Sequence, residues 1–194
     1  VLLVARFVWF HISSNVPLVS GQNTPISTSG LNTQISTPIN NPVGQVQYNI
    51  TGGTRPANGP NLFHSFGEFG VPTNTIANFL NETALPTANI LSRVTGGNPS
   101  TIFGTLQTAG FGNANLFLMN PAGIVFGPNA VLNVGGSVSF TTADYLRLAD
   151  GGQLNAIPAP QDATISSSPV AAFGFLGSNP AALTIQGSRL AVSE

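Results

Sequence analysis

The sequence predicts an all-β fold built as a solenoid, and three observations carry that expectation. Apolar segments of about five residues recur with turn formers between them. No stretch sustains an apolar period of 3.6 residues. Only 6% of residues are charged, against roughly 25% in ordinary soluble domains, so the surface must be made of Asn, Ser, Thr, Gln and backbone, as suits an extracellular protein. With 194 residues, 42% of them hydrophobic, the chain can bury one continuous core as a single domain.

Taken in order, residues 1–20 begin with an apolar run interrupted by Arg6 and His11 and end at the small, polar residues Ser20-Gly21-Gln22. They read as the later part of a secretory signal peptide, which makes 1–21 a truncated leader and 22–194 the mature domain. An ordinary buried strand is the alternative, and the run falls short of the roughly 20 apolar residues that span a bilayer. Residues 22–44, rich in Thr, Ser, Asn and Pro, form an extended lead-in. Strand segments are then expected at 45–50, 90–94, 102–106, 115–119, 124–126, 130–134 and 137–141. Alternation persists through 183–192, so the domain is expected to continue past residue 194.

The punctuation between these strands decides their arrangement. Thr51-Gly52-Gly53, Gly96-Gly97-Asn98-Pro99, Asn120-Pro121-Ala122-Gly123, Gly127-Pro128-Asn129 and Gly135-Gly136 are corner formers: glycine reaches positive φ, proline fixes φ, and asparagine bonds its own backbone. Short strands between such corners suit a coil of three-sided rungs that stack and bury a column of Val, Ile, Leu and Phe. A β-sandwich is the competing architecture. It is disfavoured because hairpin dipeptides are sparse, Asp150-Gly151 being one, and the corners are closely spaced.

Composition also narrows the function. The five basic residues, Arg6, Arg55, Arg93, Arg147 and Arg189, are dispersed and there is no lysine, so the clustered charge that binds nucleic acid or an anionic membrane is missing. A phosphate-loop or Schiff-base lysine is excluded for the same reason. Without cysteine there is no disulfide scaffold, thiolate zinc site or cysteine nucleophile, and the chain can be threaded through a pore while extended.

Several runs carry a family resemblance: Asn49-Ile50-Thr51-Gly52-Gly53-Thr54-Arg55; Asn61-Leu62-Phe63-His64-Ser65-Phe66 with Phe69 and Val71; Ile90-Leu91-Ser92-Arg93-Val94-Thr95-Gly96-Gly97; and Ile102-Phe103-Gly104 through Asn115-Leu116-Phe117-Leu118-Met119-Asn120-Pro121-Ala122-Gly123-Ile124-Val125-Phe126-Gly127. In this order, over residues 45–150, they resemble the filamentous haemagglutinin N-terminal domain, the secretion domain of two-partner systems, in the form common in cyanobacteria. The resemblance implies a right-handed parallel β-helix with an N-terminal capping or extra-helical sheet. It also implies a non-enzymatic module of a large exoprotein, possessing no cofactor and exported through the periplasm to the surface of a Gram-negative-type bacterium. The implied partner is a cognate outer-membrane β-barrel transporter with periplasmic binding domains, and the exoprotein is implied to act as an adhesin. The family's Asn-Pro-Asn-Gly-Ile motif stands here as Asn120-Pro121-Ala122-Gly123-Ile124, which marks Asn120, Pro121, Gly123 and Ile124 as candidate transporter-recognition residues. Its Asn-Pro-Asn-Leu motif is missing, and residues 78–89 occupy that place.

Each candidate has a plainer structural meaning. Residues 120–124 suit a rung corner whose Asn and Gly serve geometry, with recognition layered on it. Phe63, Phe66 and Phe69 could form a docking stripe, but such aromatic density favours core packing. His64 has no companion for acid–base or metal chemistry. A polysaccharide-active β-helix enzyme would need converging carboxylates, whereas Glu68, Glu82, Asp144, Asp150, Asp162 and Glu194 are scattered. Asp144 and Asp150 around Arg147 suggest a surface ion pair. A purely adhesive solenoid is the third functional class.

Overall fold

A computed structural model describes residues 26–188 and residue 190. The leader expected over residues 1–21 lies outside them. Strands β1 (Thr28–Gly30), β2 (Thr33–Ile35) and β3 (Ile39–Asn40) come first, followed by β4 (Val46–Gly52) and β5 (Asn61–Phe66). The second coil holds β6 (Thr75–Leu80), β7 (Asn89–Val94) and β8 (Ser100–Ile102), and the third β9 (Thr105–Ala109), β10 (Asn115–Met119) and β11 (Ile124–Phe126). Then come β12 (Val131–Asn133), β13 (Val138–Thr141), β14 (Tyr145–Leu148), β15 (Gln153–Asn155), β16 (Val170–Gly174) and β17 (Leu183–Ile185). Two 3-10 turns, at Pro56–Asn58 and Pro160–Thr164, are the only helical pieces among the described residues.

The pairing makes these strands a parallel solenoid with three faces. On the first face β4, β6, β9 and β12 pair in parallel, with Ile50 opposite Phe79 and Leu106 opposite Leu132. The second face stacks β5, β7, β10 and β13, with Leu62, Ile90, Leu116 and Val138 in one register column. The third stacks β8, β11 and β17, with Val71 bridged to Ile102. Because strand side chains alternate, Ile50, Phe79, Leu106, Leu62, Ile90, Leu116, Ile102, Ile124 and Phe126 all enter the lumen and form its core. The antiparallel strands β1, on β5, and β2 and β3, on β4, cover the edge of the first coil, which would otherwise expose a row of unpaired backbone groups. This is the expected N-terminal cap.

The extra-helical sheet is a separate excursion later in the chain. After β13 the chain leaves the coil, forms the antiparallel sheet β15-β14-β16, and returns as β17 beside β11. Leu146, Leu148 and Leu154 of this sheet cover Phe63, Leu91 and Met119, the outward residues of the second face. Phe63 is therefore buried outside the lumen, while Phe66 and Phe69 lie inside it, so the three phenylalanines serve packing.

Two expectations need correction. The segment 102–106 is two strands, β8 and β9, because the chain turns at Phe103-Gly104, where both N–H groups donate to Val71 O. Arg147 forms no ion pair with Asp144 or Asp150; among the described residues the ion pair is Arg93 with Asp162. Alternation along β14 sends Arg147 to solvent between buried Leu146 and Leu148, while Asp144 accepts from Leu176 N and Asp150 from Gly152 N.

Candidate functional site

The four candidate residues form the corner between β10 and β11, on the edge joining the second and third faces. The local sequence dictates the turn. Asn120 O accepts from Gly123 N at 3.0 Å, and Asn120 Oδ1 accepts from Ala122 N at 2.9 Å, the side chain closing the bend over its own backbone. Gly123 sits at φ 119°, and a Cβ there would lie 3.2 Å from Ala182 O, so a branched residue would meet both an unfavourable dihedral and the neighbouring coil.

The corner is also a tie between coils. Asn120 is 0% exposed, and its Nδ2 donates to Asn98 O at 3.1 Å and Ser100 Oγ at 2.9 Å in the coil before. Asn120 N donates to Thr141 O in the coil after, and Ser100 N donates to Gly123 O. Asn98 Nδ2 in turn donates to Glu68 Oε1 at 3.1 Å, so one chain of polar contacts runs down this edge through three successive corners. Ile124, also 0% exposed, belongs to the lumen core. Of the candidate set only Pro121 reaches solvent in part, together with Ala122. The side chain at 122 contributes nothing to the turn, since the bond to Asn120 comes from its backbone N–H.

Asparagine does similar work elsewhere. On the second face Asn61, Asn89 and Asn115 stand in register, and each later amide donates to the one before, at 2.9 and 3.1 Å. The ladder begins where Asn61 Nδ2 donates to Ser166 O and Ser168 O of the excursion, and ends where Ser137 N donates to Asn115 Oδ1. On the first face Asn49, Asn78, Gln107 and Asn133 form a second ladder. Every rung repeats the same donor and acceptor at the strand spacing, so each amide satisfies its neighbour.

The excursion is clasped to the solenoid by Arg93, which is 4% exposed. Its guanidinium donates to Ser65 Oγ and Asn155 O and pairs with Asp162. The Asp162 carboxylate also accepts from Asn155 N, Asn155 Nδ2 and Ala159 N. Sequence reasoning missed both this clasp and the ladders. A signal for the ladders was present in the recurrence of Asn before an apolar pair, Asn61-Leu62-Phe63, Asn89-Ile90-Leu91 and Asn115-Leu116-Phe117.

The described carboxylates do not converge. Glu68 is bound to the Asn98 corner, Asp144, Asp150 and Asp162 hold separate turns, and Glu82 lines a cleft of about 200 Å³ with Arg55, Leu62 and Phe111. Hydrogen bonds from the Ser166 side chain and the Gly152 N–H lower the pKa of Asp150, which favours its charged form at the hairpin turn. Arg55 donates to Gly59 O, Pro86 O and Thr87 Oγ1, holding two corners together. His64 is 1% exposed and neither ring nitrogen has a hydrogen-bond partner; burial and the nearby Arg55 charge push its pKa down to about 3. A histidine in this state is neutral, enclosed and unable to reach a substrate.

The chain matches no curated protein. The family model of the TPS secretion domain, the domain of two-partner secretion, matches residues 21–194, and this stack of parallel coils with a capped first edge and a tied 120–124 corner belongs to that family.

Proposed function

We propose that this domain directs its exoprotein to a cognate outer-membrane β-barrel transporter, whose periplasmic binding domains read residues 120–124 while the chain is still extended. One observation carries the reading: Asn120 and Ile124 are 0% exposed in the folded coil, so a partner that uses their side chains must meet them before the coil closes. The extended segment offers unpaired backbone groups that can add to a sheet edge, a mode that needs little charge and therefore suits a chain with 6% charged residues. On this account the exoprotein crosses the periplasm unfolded. Emerging coils then bury apolar surface outside the cell, worth about 25 cal/mol per Å², which opposes return. Adhesion belongs to the delivered exoprotein rather than to the 120–124 corner.

Export measured with and without the transporter tests the partnership, and loss of export on its deletion is expected. Recognition is separated from folding by comparing Asn120→Ala with Leu106→Ala, a lumen substitution that destabilises the domain without touching the corner. Asn120→Ala is expected to lower export further than Leu106→Ala does at equal loss of stability. Equal export of the two would leave the corner with a structural role alone.

A further inference from the structure

Among the described residues His64 is a fully buried titratable side chain in the lumen of the first two coils, and neither of its ring nitrogens is hydrogen-bonded. The strand β5 alternates Leu62, His64 and Phe66 into the lumen, and His64 packs against Phe79 of β6 and Phe66 of its own strand, with ring centroids 5.4 and 6.1 Å away. From β7 its register partner is Ser92, a buried hydroxyl that has no partner of its own. From the β4–β5 corner Gly53, at φ 86°, closes over the ring: a Cβ there would lie 2.7 Å from Leu62 Cδ1 and 3.0 Å from His64 Cε1. The charge that bears on His64 is Arg55, a cation on that same corner; Glu82 lines the outer cleft with Arg55 and Leu62. The imidazole is thus enclosed by aromatic, aliphatic and glycine surface with a single hydroxyl, that of Ser92, on the neighbouring strand; both its nitrogens are unbonded and a like charge lies beside the site it would occupy as a cation.

We propose that His64 makes closure of this solenoid proton-sensitive: the first two coils fold around the neutral imidazole, and mild acid shifts the domain toward its extended state. The sign follows from linkage. The unfolded chain takes up a proton near the ordinary histidine pKa of about 6.5, whereas the folded ring, at about 3, does not. Protons therefore bind the unfolded state preferentially, so stability is complete above about pH 6.5 and falls as pH drops from there toward 3. Over this window a single buried histidine weakens the folding equilibrium constant by a factor approaching ten for each pH unit. This inference concerns the folding equilibrium alone and does not depend on how a transporter reads the chain.

The test is denaturant unfolding of the whole chain at pH 7.5 and pH 5.5, a range in which exposed carboxylates hardly titrate. The wild-type folding constant is expected to fall about tenfold across it, while His64→Phe and His64→Leu are expected to remain nearly level. His11, the other histidine of the sequence, is present in all three proteins and cancels in the comparison. Should neither variant fold, the ring nitrogens of the wild-type domain report directly by nuclear magnetic resonance, and a neutral His64 at pH 5 in the folded protein is expected. A His64 ring that titrates near 6.5 in the folded domain, or a wild-type pH dependence no steeper than that of the variants, overturns the proposal.

Discussion

Replacing Asn120 by alanine removes three hydrogen bonds and leaves their partners in unequal positions. Ser100, in the preceding coil, is 0% exposed, so its hydroxyl loses the Asn120 amide with no water to replace it, at about 1–3 kcal/mol. Asn98 O and Ala122 N belong to more exposed residues and can turn to solvent, so their bonds count for roughly 0.5–1 kcal/mol each. The sum is about 2–5 kcal/mol, which for a domain of this size lowers the melting temperature by roughly 4–20 °C. Guanidinium unfolding followed by far-ultraviolet circular dichroism measures the loss. Pro121→Ala and Ala122→Asn are the controls, both at partly exposed positions and expected within about 0.5 kcal/mol of wild type. An Asn120→Ala domain equally close to wild type would refute the argument that this side chain ties adjacent coils.

Three further outcomes follow from the same geometry. Gly123→Val places a branched side chain at φ 119° against Ala182 O and is expected to destabilise by about 1–3 kcal/mol, with Gly123→Ala falling in between; thermal melts of the pair check the order. Arg93→Met strands the Asp162 carboxylate, 12% exposed, against the solenoid, and a loss of about 3 kcal/mol is expected. Limited proteolysis should then cut within residues 142–182 before the coils are attacked. Asn89→Leu breaks the middle rung of the second-face ladder and leaves Asn61 Oδ1 and Asn115 Nδ2 without it, so unfolding by denaturant should show a loss of about 1–3 kcal/mol.

How much of this was legible in the sequence depended on what each element expresses locally. The segments 115–119 and 124–126 coincide with β10 and β11 because a strong corner, Asn-Pro-Ala-Gly, separates two apolar runs. The corner at Phe103-Gly104 carries a large apolar residue and one glycine, so β8 and β9 merge into a single run when only hydrophobicity is read. Strand β6 goes unannounced because Thr75-Ile76-Ala77-Asn78-Phe79-Leu80 places Asn78 outward in a ladder, and an isolated asparagine there reads as loop. Asp150-Gly151, a hairpin dipeptide, marks the β14–β15 hairpin of the excursion. The period of the solenoid was hidden by corners of unequal length: Asn61 to Asn89 is 28 residues and Asn89 to Asn115 is 26. At the candidate site, the turn residues predicted the bend. That Asn120 is enclosed and bonded to the coil before it is a fact of stacking, and no local pattern carries it.

If the transporter meets the chain before the 120–124 corner closes, as proposed, a reversible lock on the fold must abolish recognition. The sequence has no cysteine, so Thr105→Cys with Val131→Cys, register partners on β9 and β12, would introduce a single disulfide across neighbouring coils at a separation such bonds accept. Binding of the transporter's purified periplasmic domains is then measured against the oxidised, folded domain and against the reduced chain freshly diluted from denaturant. The reduced, unfolded chain is expected to bind and the locked domain not to. Equal binding by the locked, folded domain would mean that the transporter does not need the chain extended.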